Sequence, residues 1–124
     1  MARVLVADDE ASVREFIVRA LRTRGHQVTV AGDGAEALER LEQKSYDLLL
    51  TDIVMPVLDG IALALKASKE YPSLRIILMT GFAAELQRVR NLDALFQGLI
   101  TKPFGLDEIC DAVDKALDDP PPPL

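Results

Sequence analysis

A chain of 124 residues with a net charge of −6 is the size of one domain and long enough to bury a core without disulfides or structural metal. The acidic balance argues against nucleic-acid binding, which needs Lys and Arg to neutralise phosphates, and no apolar run approaches the roughly 20 residues of a membrane-spanning helix. The single cysteine, Cys110, cannot form an internal disulfide, and without a signal-like start a cytoplasmic location is expected.

Along the chain, short apolar or β-branched runs alternate with amphipathic stretches five times, the mark of βα units around a parallel sheet. The first strand is predicted from Arg3 to Ala7. A helix follows, with Val13, Phe16, Ile17, Ala20 and Leu21 on one core-facing stripe and Gly25 as its stop. A strand from Gln27 to Ala31 leads to a helix over roughly Ala35 to Gln43, and a strand from Asp47 to Thr51 to a helix over roughly Ile61 to Glu70, bounded by Gly60 and Pro72. The fourth strand is expected from Arg75 to Met79 and a less regular helix between Ala83 and Gln97. A fifth strand, Gly98 to Thr101, precedes a helix that sets Leu106, Ile109, Cys110, Val113 and Leu117 on one face. Nearly all-apolar central strands require cover on both faces, hence an α/β three-layer sandwich. Residues 1–118 form the expected domain. The prolines of 119–124 form a tail suited to polyproline conformation.

The residues that carry chemistry share a position. Asp8-Asp9, Asp52, Thr80 and Lys102-Pro103 each fall at or just past the carboxyl end of a different strand, where doubly wound sheets gather ligand-binding groups. Carboxylates brought together repel, and a hard cation such as Mg²⁺ relieves the repulsion. A carboxylate nucleophile also needs donors aimed at the incoming phosphoryl oxygens, which Lys102 and Thr80 can supply. Taken singly, each residue has a plainer explanation: Asp9 as a helix cap, Asp52 and Asp59-Gly60 as turn residues. His26 sits at a strand entry far from the acids, and Arg14, Arg19, Arg22 and Arg24 read first as a solvated basic side of the first helix.

In order and spacing, Asp8-Asp9, Asp52-Ile53-Val54-Met55-Pro56 with Asp59-Gly60, Thr80-Gly81 and Lys102-Pro103 resemble the receiver domain of two-component response regulators, from Arg3 to about Leu117. The resemblance implies a flavodoxin-like (βα)5 fold with strand order 2-1-3-4-5. It implies a signalling module rather than a metabolic enzyme, in which Asp52 accepts a phosphoryl group from a histidine kinase or histidine phosphotransferase. Asp8, Asp9, Asp52 and the main-chain carbonyl of Val54 would hold Mg²⁺, Thr80 and Lys102 would touch the phosphoryl oxygens, and the Lys102-Pro103 bond would be cis. Many receivers carry an aromatic where this chain has Leu99, so a switch here would rely on aliphatic repacking, loop movement, or Phe82, Phe96 and Phe104. Val54 and Phe82 are apolar covers beside the site and suggest slow self-dephosphorylation. The segments 51–56 and 79–84 are similar to CpdR-type single-domain regulators, implying a stand-alone protein whose output is contact with a downstream target, such as a protease or its substrate, and a weak dimer as a further state.

Two other classes share parts of this pattern. A phosphorelay shuttle would pass its phosphate to a histidine phosphotransferase. A haloacid-dehalogenase-like phosphatase needs a second acid two residues past its nucleophile, where this chain has Val54. A flavodoxin-like electron carrier would need phosphate-binding donors in place of Asp8-Asp9-Glu10.

Overall fold

The structure is a computed structural model that describes residues 2–81 and 96–118. The helix expected between Ala83 and Gln97 falls almost wholly outside the described residues, as do Phe82 and the proline tail. The described elements are β1 (Arg3–Ala7), α1 (Ala11–Thr23), β2 (Gln27–Ala31), α2 (Gly34–Gln43), β3 (Leu48–Asp52), α3 (Gly60–Glu70), β4 (Arg75–Thr80), β5 (Gly98–Thr101) and α4 (Leu106–Asp118). The strands form one parallel sheet in the order β2-β1-β3-β4-β5, as expected.

Alternation along the central strands divides the core in two. Leu5, Leu49, Ile76 and Leu78 point to one face and meet Ala37 and Leu41 of α2 and Leu63, Ala64 and Ala67 of α3. Val4, Val6, Leu48, Leu50 and Ile77 point to the other and meet Ile17, Ala20 and Leu21 of α1 and Ile109, Cys110 and Val113 of α4. A parallel strand covered on both faces has no polar face, and that is why these strands read as continuous apolar runs.

Helix ends follow local chemistry. Asp33 caps α2 by accepting from the Glu36 N–H at 2.8 Å, and Asp59 caps α3 by accepting from Ala62 at 2.9 Å. After α1 the His26 N–H donates to the Leu21 carbonyl and the Gly25 N–H to that of Arg22, a Schellman closure that requires the positive φ of 83° at Gly25. Asp59-Gly60, read as a turn, is therefore a helix cap. Asp9 is no cap: Glu10 stands at the start of α1 without a side-chain capping bond.

Several boundaries and faces differ from the sequence reading. Asp47 precedes β3 rather than opening it, and its carboxylate accepts from the Arg3 N–H at 2.8 Å, while β3 and β4 run one residue further, through Asp52 and Thr80. Phe16 and Leu106, placed on core-facing stripes, are 38% and 43% exposed. Phe16 instead lies against Phe104, with ring centroids 6.2 Å apart. Cys110 is buried as expected, its thiol donating to the Ala20 carbonyl at 3.2 Å.

Arg24 is not part of a solvated face. Its guanidinium reaches Asp114 at 2.6 Å and Asp111 at 3.1 Å on α4, and His26 Nε2 lies 3.0 Å from the other Asp114 oxygen. Partial burial alone would raise the Asp114 carboxyl pKa, but the hydrogen bonds from His26 and Arg24 outweigh it and hold the pKa below its ordinary value. A carboxyl depressed in the folded state contributes stability that is present above its unfolded pKa and lost as pH falls through the folded one. Asp114→Asn is thus expected to flatten the acid limb of the stability curve below about pH 4, which urea midpoints measured from pH 3 to 7 will show.

Candidate phosphoryl-acceptor site

The sheet register builds the site. Ala7 on β1 pairs with Thr51 on β3, so the next residues, Asp8 and Asp52, emerge side by side at the carboxyl edge. Ligand oxygens of Asp8, Asp9 and Asp52 all lie within 4.8 Å of one another. Asp8 is 0% and Asp52 7% exposed, whereas Asp9 faces solvent. From the far side of the sheet, Lys102 places Nζ 2.9 Å from Asp8 Oδ2 and 3.2 Å from Asp52 Oδ2. The Lys102-Pro103 peptide is cis, and the Lys102 N–H donates to the Thr80 carbonyl at 2.8 Å.

Burial above all, and then the charge of Asp8, push the Asp52 pKa up to about 6, against the lowering influence of Lys102. Burial alone would lower the Lys102 pKa, but the two carboxylates dominate and raise it. Both groups are therefore mainly charged at neutral pH. Asp52 Oδ1 accepts from the Ile53 N–H at 3.0 Å, and Asp8 Oδ1 from the Glu10 N–H at 2.9 Å, so one oxygen of each is oriented by backbone and the other by lysine.

The loop after β3 is fastened to the sheet from below. The Gly60 N–H donates to the Ile53 carbonyl at 2.7 Å, and a Cβ on Gly60 would sit 1.9 Å from the Asp52 carbonyl oxygen. A Cβ on Gly34, at the start of α2, would lie 2.2 Å from the Leu58 carbonyl oxygen of the same loop. Between them Val57 has φ of 70° and is 81% exposed, with the Leu58 N–H donating to Pro56 O at 2.8 Å, the pattern of a γ-turn.

Of the residues singled out from sequence, Asp8, Asp9, Asp52 and Lys102 converge. Thr80 is buried at the end of β4, one position past Met79, the register partner of Asp52. Val54 lies in the loop two residues past Asp52 with a half-exposed side chain. His26 is at the opposite, amino edge of the sheet. Sequence reasoning missed Arg14, whose Nη1 donates to the Asp8 carbonyl at 2.7 Å and so braces the Asp8-Asp9 peptide. A helical residue six positions past Asp8 lies within reach of it, but the sequence alone does not separate it from its arginine neighbours.

The sequence matches the family profile described as response regulator receiver domain over residues 4–114. The chain belongs to the response regulator receiver family. Among individual relatives it is 41% identical to the response regulator receiver protein CpdR of Brucella abortus, covering 94% of this chain and 98% of that one. It is 39% identical to a stretch of the sensor kinase CckA of the same organism, of which it spans 13%, and 36% identical to the response regulator MprA of Mycobacterium leprae, of which it spans 47%. Receiver structures superpose closely. The response regulator TrrA of Thermotoga maritima, solved in complex with Mg²⁺-BeF, is 32% identical with a TM-score of 0.84 over 94% of this chain and 99% of that one. A CheY-like receiver from Methanospirillum hungatei is 29% identical with a TM-score of 0.88, over 95% and 94%.

The donor set of this receiver suits a hard divalent cation. It is all oxygen, and three carboxylates against one ammonium leave two negative charges uncompensated, the charge a dication supplies.

Proposed function

We propose that this receiver domain takes a phosphoryl group onto Asp52 from a histidine kinase or histidine phosphotransferase and uses the resulting change to alter its contacts with a downstream protein. The observation that carries this reading is the convergence of Asp52 with Asp8, Asp9 and Lys102 at one sheet edge. In the transfer, an Asp52 carboxylate oxygen attacks phosphorus in line. The P–N bond to the donor histidine breaks as the P–O bond forms, and the histidine nitrogen leaves with the bonding pair and takes up a proton.

Asp8, Asp9, Asp52 and the carbonyl of Val54 would hold Mg²⁺. Bound there, Mg²⁺ screens the negative charge of the carboxylates and of the phosphoryl oxygens. Lys102 already faces Asp52 and would stabilise charge on the transferring group, with Thr80 as a second donor. Because Arg14 holds the Asp8 carbonyl, the acids are set before any ligand arrives, and catalysis reduces to positioning and charge. Hydrolysis breaks the acyl phosphate P–O bond and restores the carboxylate, closing the cycle. Val54, half-exposed beside Asp52, is an apolar hindrance to water and supports a slow reset.

Incubation with acetyl phosphate and Mg²⁺ is expected to add one phosphoryl mass to the native chain and none to Asp52→Ala. Equal labelling of the variant, or none of the native chain, would overturn the assignment. Likeness to CpdR supports a protein-contact output, such as control of a protease or its substrate. Capture of partners with and without beryllofluoride tests that output directly. The match to a stretch of a sensor kinase favours a relay as the second reading, which a phosphate transfer assay to a histidine phosphotransferase separates from the first.

A further inference from the structure

On the flank of α1 away from α4, a groove of about 480 Å³ runs between that helix and β2. Its walls carry Arg14, Arg19 and Arg22 against a single acid, Glu15, and its floor is apolar, from Val18, Val28 and Val30. Arg14 is engaged with the Asp8 carbonyl. Arg19 and Arg22 are exposed, and among the described residues neither is joined to an acid by an ion pair. They stand three positions apart on one helix, where like charges repel, in a chain of net charge −6.

The floor has an unmet need of its own. Among the described residues β2 is an outer strand, paired only with β1. The Gln27 N–H donates to Ala2 O and the Ala31 O accepts from the Asp8 N–H. Since alternate residues of a parallel strand bond to one side, Gln27, Thr29 and Ala31 face inward, and the N–H and C=O of Val28 and Val30 face the open edge. Within Gln27–Ala31 there is no charge, proline or bulge of the kind that blunts such edges.

We propose that this groove docks an extended acidic segment of a partner protein, which pairs with the free edge of β2 as a sixth strand and sets carboxylates against Arg19 and Arg22. Edge pairing supplies main-chain hydrogen bonds, while alternate side chains reach the groove. An aliphatic side chain of the segment covers Val30, which is 36% exposed. A nucleic acid would answer the arginines but not the strand edge or the valines.

A blocked eight-residue peptide, Glu-Glu-Val-Val repeated twice so that each face of the added strand carries both residue types, titrated into the full chain, tests this by amide hydrogen exchange. Slowed exchange at Val28 and Val30, with affinity lost about tenfold or more in the Arg19→Glu/Arg22→Glu double variant, is the expected result. Unchanged exchange at saturating peptide would overturn the proposal. So would equal binding by a lysine–valine peptide, or protection of the same amides by a single-stranded oligonucleotide or anionic lipid vesicles.

Discussion

Gly60→Ala is expected to cost the domain about 3 kcal/mol or more, at or above the upper end of ordinary overpacking. The added Cβ would fall 1.9 Å from the Asp52 carbonyl oxygen and 2.8 Å from its carbon. Both are backbone atoms of a strand buried on both sides, so no side chain can swing aside. Relief requires α3 to back away from the sheet, which stretches the 2.7 Å bond from Gly60 N–H to Ile53 O and shifts the backbone that carries Asp52. The variant should therefore melt lower by roughly 10 °C or more and accept phosphate poorly even where it remains folded. Gly98→Ala is the matched control. Among the described residues its Cβ would meet only Ile77 side-chain atoms at 3.6 and 3.9 Å, ordinary contact distances, and its melting temperature should hold or rise slightly. A Gly60→Ala midpoint equal to that of the native chain would mean that α3 is not pressed against Asp52.

Lys102→Met should have the second large effect, and its sign depends on pH. Lys102 lies between Asp8 and Asp52, and removing one partner of a buried pair leaves charge uncompensated, at a cost of about 3–5 kcal/mol when burial is complete. Because the lysine side chain is 18% exposed, about 2–3 kcal/mol is expected at pH 8 without divalent cations. The native Asp52 carboxyl titrates near 6, raised by burial and then by Asp8. A carboxyl raised in the folded state favours folding while protonated, so its contribution is full below the ordinary carboxylate range and is lost as pH rises through about 6. The native chain in EDTA should accordingly lose up to about 3 kcal/mol between pH 4 and 7. In Lys102→Met the restraint that holds Asp52 down is gone, so the decline extends to higher pH and runs deeper. Urea midpoints across this range, with and without Mg²⁺, will show it. Phosphate acceptance should fall about 10²-fold or more with the loss of a charged donor. A variant as stable as the native chain at pH 8 would mean that the lysine does not neutralise the acids.

The fold was legible where one pattern dominated. Leu48, Leu49 and Leu50 or Ile76, Ile77 and Leu78 admit only a strand with cover on both faces once helices flank them, and order along the chain does the rest. The acids were legible because Asp8 and Asp52 each end an apolar run, and parallel pairing of those runs makes them neighbours. Contacts set by approach angle were not legible. Phe16 has core spacing on α1, yet its ring lies against Phe104 while Val13 and Ile17 on either side of it face the core. Arg24 resembled its neighbours Arg19 and Arg22, but only Arg24 follows the last turn of α1, where α4 passes within reach. Gly60 read as half of a turn dipeptide, and its second role, allowing α3 to touch the strand, exists only in three dimensions.

The close approach of Gly34 to Leu58 makes the pocket mechanically lopsided. On the α2 and α3 side the loop after Asp52 is wedged between two backbones with no side chain to act as a cushion, so that wall is stiff. The opposite wall rests on Lys102, whose hold on the acids is electrostatic and so depends on the charge they carry. A change of charge at Asp52 is therefore expected to displace β4 and β5 more than α2 and α3, which a comparison of backbone amide shifts with and without beryllofluoride will show.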